Sequence, residues 1–333
     1  MTATDLPLNT PSSVLNNVSF DDLPRLHHRF ADINWQAPWL SHLNQLNYMS
    51  DAVKSLSEPH EQNHHSARDD QPIDIVADLL NNALLLRCDN APEGLPTTKP
   101  TQDAQAQTLT FVSQNALPDG EAYEHFIATT GNIPTRDNLH DLFNGSIWLT
   151  FPKTKALLNY YHMLEIAAQG VGERRGRVRD TITIFDENGA VLVTADASIG
   201  EALIGFDWQA SLVKPRAKWD DPKQMDRDAQ AAVYIFGHAL LEQLVQPRKP
   251  LCAHSIVIQV TQDFFALPLS ERMDDLDNKM ADYMDRLLSK DTVTPRQLAP
   301  LPILGVPHFW SENEHPAFYE DTHVFRSGRR KRP

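Results

Sequence analysis

Apolar side chains recur along most of the chain at the spacing of a helix rather than of a strand. The segment IVADLLNNALLLRC, for example, places apolar residues three or four apart, which predicts an amphipathic helix. Helices are predicted by the same reasoning over residues 39–56, 75–88, 118–131, 136–150, 153–169, 223–246 and 270–289. The chain is therefore expected to be mainly helical.

Strand patterns are fewer. The segment TITIFDENGAVLVTA contains two β-rich runs on either side of Asn188-Gly189, a dipeptide typical of a tight hairpin turn. The run SIVIQV predicts one more strand, and the Pro-rich residues 294–310 predict an extended segment. The expected fold class is α+β, mainly helical, with a small antiparallel β-hairpin sheet.

Polar composition marks the two ends of the chain and two internal loops. Residues 1–18 are rich in Ser, Thr and Asn and are predicted to form a disordered arm. Residues 57–72 and 92–107 lack apolar periodicity and predict flexible loops inside one globular domain, 19–326. Residues 327–333 form a basic tail.

Charge and cysteine content narrow the functional class. Thirty Lys and Arg against 44 Asp and Glu give a net charge of −14, which disfavours binding to nucleic acid or to an anionic membrane, except through the basic tail. The two cysteines are too few for a disulfide scaffold. Because the sequence shows neither a secretory signal nor a long apolar run, a cytoplasmic protein is expected.

Candidate chemistry concentrates in residues 131–187. On the helix predicted over 136–150, His140, Asp141 and Asn144 share a sector beside the apolar stripe, and Lys155 on the following helix would add a cation. A histidine beside carboxylates can serve as a general base or a metal ligand. The same residues also fit a structural interpretation, in which the acids favour the helix N-terminal half and the histidine is a boundary residue.

An arginine-rich segment, ERRGRVRD, follows that helix pair in an otherwise acidic protein. Arg175 and Arg179 are candidates for holding an anion, and Asp180 is a candidate ligand or orienting group. No glycine-rich phosphate loop accompanies them, so the usual nucleotide sites are unsupported. Salt bridges to nearby acids are the alternative.

A second histidine extends the candidate site. His238 precedes Glu242 by four residues, the spacing that lets two side chains converge on one helix face. A metal set of His140, Asp186 and His238 is therefore a hypothesis, and a core histidine bonded to Glu242 is its structural alternative. For Asp186 itself, in the motif DENG, ordinary turn chemistry is the competing interpretation.

Several long motifs resemble one known family. They read FVSQNALPDGEAYEHFIATTGNIPTRDNLHDLFNGSIWLTFPKTKALLN, RGRVRDTITIFDENGA, FGHALLEQLVQPRKPL, PLPILGVP and FYEDTHVFR. Together they resemble the bacterial family called domain of unknown function 3025, over about residues 110–326. The resemblance implies domain boundaries but no activity, cofactor or catalytic residue. One departure is that His308 follows Leu-Gly-Val-Pro where the family commonly has Gly.

The sequence thus supports two functional hypotheses. The first is a hydrolase, with or without a metal, acting on an anionic small molecule or a phosphoester; its catalytic candidates are His140, Asp141 and Asp180. The substrate would be held by Arg175, Arg179, Lys155 and Asn144. The second is a non-catalytic binding or assembly protein in which the same polar cluster is structural. Neither hypothesis identifies a cofactor. The residues suggest a small anionic ligand as a partner, no membrane, and nucleic acid only through the basic tail.

Overall fold

The computed structural model describes residues 30–43, 50, 74–88, 109–169, 176–290 and 292–328. The helices are α1 Ile75–Cys88, α2 Tyr123–Thr130, α3 Leu139–Thr150, α4 Pro152–Gln169, α5 Arg177–Asn188, α6 Ala197–Ile204, α7 His238–Gln243, α8 Asp263–Ala266 and α9 Leu269–Leu288. The strands are β1 Thr110–Ser113, β2 Asn132–Thr135, β3 Gly189–Thr194, β4 Ala231–Ile235, β5 Cys252–Gln259 and β6 Ala299–Pro302.

A four-stranded mixed sheet in the order β4-β3-β5-β6 forms the centre of the fold. Strand β3 is antiparallel to β4 and parallel to β5, while β6 is antiparallel to β5. Every residue of β3 is buried, as its apolar run GAVLVT requires for a strand covered on both faces. Strands β1 and β2 form a separate parallel pair.

The helices pack in layers against this sheet and against one another. Helix α3 contacts α1 and α7, and helix α4 contacts α5 and α9. Helix α5 continues directly into β3, and its Phe185 stacks on Phe236, which follows β4, with ring centroids 4.9 Å apart. The helices around α5 therefore meet at one end of the sheet.

The α5–β3 junction is held to the β4–α7 turn by direct backbone contact. The amides of Phe236 and Gly237 both donate to the carbonyl of Gly189, at 2.9 and 2.8 Å. A Cβ atom on Gly237 would lie 2.6 Å from Glu187 O, where no real side chain fits. Because Gly237 has no side chain, His238 begins α7 beside the last turn of α5.

A buried arginine fastens α9 to the sheet side of the molecule. Arg272 is 1% exposed and donates to Asp220 at 2.6 Å and to the carbonyl of Phe265 at 2.6 Å. It also donates to the hydroxyl of Tyr234 on β4, at 3.2 Å. A guanidinium that is this deeply buried needs such partners because an unpaired charge in the interior is costly.

The α+β class and several helix predictions are confirmed. The expected helices 75–88, 153–169 and 270–289 correspond to α1, α4 and α9, and the SIVIQV strand lies in β5. The predicted helix over 118–131 is shorter in the structure, as α2, and ends at Gly131, whose φ of 72° lies in the left-handed region. The expected helix from 136 begins later, at Leu139, because the Asn138 side chain provides the N-cap.

The prediction of an antiparallel hairpin around Asn188-Gly189 is wrong. Residues 177–188 form α5, and only the second run forms a strand, which pairs with β4 and β5 in a mixed sheet. Buried Thr181, Ile182 and Phe185 recur at helical spacing, so tertiary packing of that face overrides the local β propensity. The predicted helix over 223–246 is also wrong, since β4 and the shorter α7 occupy that segment.

Some predictions fall on residues that the structure does not describe. The arm 1–18, the loops 57–72 and 92–107, and residues 329–333 of the basic tail lie outside the described residues, as does most of the helix expected over 39–56. Within the described part of the chain, every helix is too short or too polar to traverse a lipid bilayer.

Candidate functional site

A cavity of about 420 Å³ lies where α2, α3, α4, α5 and α7 meet, and it is open to solvent. Its lining is mostly polar, although Leu158 and Ile182 contribute apolar side chains. The ionisable and amide side chains of these helices that line it are Glu124, His140, Asp141, Asn144, Lys155, Asn159, His162, Arg179, Asp186, Glu187 and His238, together with the phenol of Tyr123.

Helical periodicity explains how α5 presents these groups. Arg179, Thr183, Asp186 and Glu187 follow one another at intervals of four, three and one residues, and therefore lie on one face. On α4, Lys155, Asn159 and His162 share a face in the same way. Two helices thus line the cavity along its length.

Two histidines from distant parts of the chain face each other in the cavity. The Nε2 atoms of His140 on α3 and His238 on α7 are 3.0 Å apart, and the ring planes are nearly perpendicular, at 82°. The Nδ1 atom of His140 lies 3.0 Å from a carboxylate oxygen of Glu242. Because a carboxylate only accepts, this contact places the proton of a neutral His140 on Nδ1 and leaves the lone pair on Nε2.

Glu187 completes a group of three potential metal ligands. Its Oε2 lies 3.5 Å from His238 Nε2, and one ligand atom from each of His140, Glu187 and His238 lies within 4.8 Å of the other two. His238 is buried, while His140 and Glu187 are each about one-third exposed, at 33% and 36% of their side chains. The group is therefore anchored in the protein at His238 and accessible from the cavity.

The protonation states favour metal binding. Burial lowers the pKa of His238 to about 4, although the charge of Asp186 opposes the shift, so the imidazole is neutral near pH 7. A neutral imidazole is the form that binds metals. Burial also raises the pKa of Glu187, and the nearby Asp186 carboxylate raises it further, because a second negative charge disfavours ionisation. A cation between these groups would reverse that effect on Glu187.

A buried lysine organises the polar groups next to the triad. Lys155, with 6% of its side chain exposed, donates to Asp186 at 2.6 Å and to Asn144 Oδ1 at 2.8 Å. Burial would raise the pKa of Asp186, but the adjacent Lys155 and His238 hold it below its usual range. Asp186 is therefore an anion committed to Lys155, and its other oxygen lies 3.9 Å from His238 Nδ1.

The same chain of hydrogen bonds fixes the direction of a phenol. Since Asn144 uses its oxygen for Lys155, its Nδ2 donates to the Tyr123 hydroxyl at 3.1 Å. Burial, aided by the Asp141 charge, raises the pKa of Tyr123, so the phenol keeps its proton. The oxygen of Tyr123 is thus an acceptor for Asn144 and retains an O–H to donate at the cavity wall.

A second set of polar groups lies farther along the cavity. His162 Nδ1 is 2.9 Å from Glu124, and this hydrogen bond holds the pKa of the Glu124 carboxyl below its usual range. Arg179 lines the same cavity, and its charge also favours the ionised Glu124. The Nε atom of Arg179 is buried and has no hydrogen-bond partner in the described part of the chain.

Most residues singled out from the sequence lie at this cavity, though not always in the expected state. His140, Asn144, Lys155, Arg179, Asp186 and His238 line it. Asp141 also lines it, but both its oxygens accept hydrogen bonds from Arg136, at 2.7 to 3.0 Å. Asp180 is not among the lining residues, and Arg175 lies outside the described residues.

The sequence reasoning missed several residues of the site. The sequence did not indicate Tyr123 or Glu124, and it favoured Asp186 over its neighbour Glu187 as a ligand. Glu242 was expected to bond His238 within its own helix, but it contacts His140 across the α3–α7 interface, 102 positions earlier in the chain. The helical phase of α5 would have grouped Glu187 with Thr183 and Arg179, had those residues been recognised as helical.

Comparison with known proteins identifies a family and no characterised relative. The sequence model described as "Protein of unknown function (DUF3025)" matches residues 109–329, which include every residue of the site above. No curated protein matches the chain, and no solved structure matches it.

Proposed function

We propose a function from the site itself, because the chain belongs to the DUF3025 family, whose description assigns no function. The proposed function is a metal-dependent hydrolase that acts on a small anionic molecule. The observation that carries it is the approach of the His140 and His238 Nε2 atoms to 3.0 Å, with the Glu187 carboxylate beside them. Two histidines and one carboxylate, with a further coordination position open, are the ligands of several catalytic zinc sites.

The spacing of the two histidines fits a tetrahedral metal with little movement. Two nitrogens bound to zinc at about 2.0–2.1 Å in a tetrahedral arrangement are separated by roughly 3.3 Å. The two Nε2 atoms are 3.0 Å apart, so a few tenths of an ångström of ring rotation would accommodate the ion. Glu187 is partly exposed and has the side-chain freedom to complete the set.

The groups behind the ligands support the same proposal. Histidines that bind metals generally present their other ring nitrogen to a carboxylate or a carbonyl, which fixes the tautomer. Glu242 does this for His140 at 3.0 Å, and the Asp186 carboxylate lies behind His238 Nδ1 at 3.9 Å. Each histidine thus has an acidic residue on the side away from the shared point.

The surrounding residues supply the remaining parts of a hydrolytic site. A metal held by His140, Glu187 and His238 would lower the pKa of a water ligand to near neutrality and would polarise a substrate oxygen. The Tyr123 hydroxyl lines the cavity and would donate to an oxygen that gains charge during hydrolysis. Arg179 would hold an anionic group of the substrate.

Metal content tests the proposal directly. Tag-free protein lacking residues 57–72, which contain His60, His64 and His65, is purified and analysed by elemental mass spectrometry. We expect about one equivalent of a transition metal, lost in the His238→Ala and Glu187→Gln variants. His125→Ala is the matched control, because His125 pairs with Glu121 on the surface. Protein that folds but takes up no metal, even after incubation with zinc, would overturn the proposal.

A second candidate is the non-catalytic binding or assembly protein, which the closed ion pairs Lys155–Asp186 and Arg136–Asp141 favour. It predicts that removing His140 destabilises the fold. The metal-dependent hydrolase predicts little loss of stability, because functional residues are often retained at a cost to stability. Thermal unfolding of His140→Ala in metal-free buffer separates the two candidates.

A further inference from the structure

The cavity is elongated, and its two ends carry different chemistry. Lys155 precedes His162 by seven residues on α4, and Arg179 precedes Asp186 by seven residues on α5. Lys155 pairs with Asp186, while His162 and Arg179 both act on Glu124. The two helices therefore run antiparallel along the cavity. The Lys155–Asp186 pair lies at one end, and Glu124, His162 and Arg179 lie at the other.

The backbones at the two ends of the cavity are separated by about two turns of helix. A helix rises 1.5 Å per residue, so seven residues place the Arg179 and Asp186 backbones about 10 Å apart. The triad of His140, Glu187 and His238 lies at the Asp186 end, since Glu187 and Asp186 are neighbours. Between the ends, the cavity is lined by the apolar side chains of Leu158 and Ile182 and by the polar side chains of Asn159 and Thr183.

The cations that line the cavity indicate what the Arg179 end can bind. The cavity is lined by three permanent cations, Arg136, Lys155 and Arg179. Arg136 is bound to Asp141 at 2.9 Å and Lys155 to Asp186 at 2.6 Å. Arg179 makes no ion pair with a described residue, because the nearby Glu124 carboxylate is hydrogen-bonded to His162 instead. An arginine that has no ion pair among the described residues suits a carboxylate or phosphate group, which it can bind with two parallel hydrogen bonds.

We propose that the cavity selects an elongated substrate by length: an anionic group binds Arg179 at one end, and the bond to be hydrolysed lies about 10 Å away at the histidine–glutamate triad. The body of the substrate would lie between them, along the faces of α4 and α5 that carry Leu158, Asn159, Ile182 and Thr183. This inference rests on the proposed metal-dependent function, and it adds the class of substrate: a small, elongated anion whose charged group lies about 10 Å from the bond to be hydrolysed.

The test uses ligands that carry a metal-binding group and an anion at variable separation. Full-length protein is loaded with zinc, its metal content is measured, and binding is followed by calorimetry. The probes are the monohydroxamates of succinic, adipic and suberic acids, in order of increasing length. Octanohydroxamic acid, which has the length of the suberic compound but no terminal carboxylate, is the reference.

We expect the suberic acid monohydroxamate to bind at least about tenfold more tightly than octanohydroxamic acid and than the succinic compound, as for a hydrogen-bonded charge pair. Arg179→Gln should abolish both preferences and leave the affinity for octanohydroxamic acid unchanged. Arg177→Gln is the matched control, since Arg177 is exposed on the same helix and is not a lining residue.

Three outcomes would overturn the inference, and they differ in what they say about the metal site. If zinc is retained and all hydroxamates bind with similar affinity, the length selection is wrong and the metal-dependent function stands. If the protein takes up no zinc, both proposals fail together, as the metal measurement shows before any probe is added. An Arg179→Gln variant that keeps the preference for the suberic compound would assign the anion to another residue.

Discussion

The Nε2 atoms of His140 and His238 lie 3.0 Å apart, although 98 positions separate the two residues in the chain. His140 belongs to the helical layer formed by α3, and His238 begins α7 directly after the central sheet strand β4 and a two-residue turn. The two rings can approach each other only when the helical layer that contains α3 and the central sheet are both folded. The chemistry of the pair therefore depends on contacts that are remote from either ring, and the following predictions test those contacts.

Glu242 orients His140, so its removal should weaken metal binding without removing a ligand. We expect Glu242→Gln to lower zinc affinity by about 10- to 100-fold, as for other carboxylates behind a histidine ligand. Competition with a chromophoric chelator measures the change. Glu121→Gln is the control, because Glu121 makes the same kind of contact with His125 on the surface, at 2.7 Å. Equal losses in both variants would contradict the assignment.

Lys155 neutralises a carboxylate that is largely buried, so truncating it should destabilise the fold. Lys155→Met leaves Asp186 without its cation and is expected to lower the free energy of unfolding by about 3 kcal/mol. Adding Asp186→Leu should recover most of that loss, because the unpaired charge is removed. Urea unfolding measures both effects. Lys153→Met, which changes an exposed lysine bonded to Asn278, should alter stability by only a few tenths of a kcal/mol.

His42 should make stability depend on pH in the acidic range. Its ring is buried, burial lowers its pKa to about 4, and its Nε2 donates to the carbonyl of Ile235 at 2.8 Å. In the unfolded chain the pKa returns to about 6.5, so the unfolded state binds the proton first. Stability is therefore fully present above about pH 6.5 and falls by up to about 3 kcal/mol as the pH drops towards 4.

Glutamine at position 42 separates this titration from the hydrogen bond. His42→Gln can still donate to Ile235 but does not titrate, so urea unfolding at pH 7 and pH 4.5 should show a smaller pH effect than in the native chain. His238 keeps its own contribution, because burial lowers its pKa in the same way. An unchanged pH profile in this variant would show that His42 is not the titrating group.

His308 occupies a backbone conformation that suits glycine. Its φ is 68°, in the left-handed region, where a side chain costs about 1–2 kcal/mol. We expect His308→Gly to raise the free energy of unfolding by about 1 kcal/mol, once the greater freedom of glycine in the unfolded chain is subtracted. His308→Ala, which removes the ring but keeps the Cβ, should give no such gain. A gain of equal size from alanine would locate the strain in the imidazole instead.

Gly237 should tolerate no side chain. A Cβ there would lie 2.6 Å from the Asn188 Cα and from the Glu187 carbonyl, both of them backbone atoms. Gly237→Ala is expected to lower stability by more than about 2 kcal/mol and to reduce metal occupancy, because it moves His238 away from α5. Gly120→Ala tests a glycine with positive φ but open surroundings and should leave metal occupancy intact. Full occupancy in Gly237→Ala would contradict the positioning role.

The sequence was informative where a segment carries one signal and misleading where it carries two. Helices α1, α4 and α9 have long apolar periods without a competing motif, and their predicted bounds agree with the structure. In α5 the β-branched run and the Asn188-Gly189 dipeptide point to a hairpin, while the buried face points to a helix. The α5 face is covered by its neighbours in the fold, which local propensity does not represent.

The site was predictable only as a set of residue types. The density of polar residues between 131 and 187 located His140, Lys155 and Asp186 near one another, and all three line the cavity. The contact between Glu242 and His140 has no signal in a single sequence, because it joins two helices through the tertiary fold. We propose Glu187 rather than Asp186 as the metal ligand because of its helical phase and because Lys155 binds Asp186.

The contact between the α5–β3 junction and the β4–α7 turn has a consequence for how this chain can change over generations. Gly237 meets backbone atoms of residues 187–189, and those atoms are the same whatever side chains surround them. Substituting a neighbouring side chain therefore cannot make room for a side chain at position 237. Selection can therefore exchange the side chains that line the cavity one at a time. The turn that holds His238 in place must keep Gly237, because no sequence of neighbouring substitutions would accommodate a side chain there.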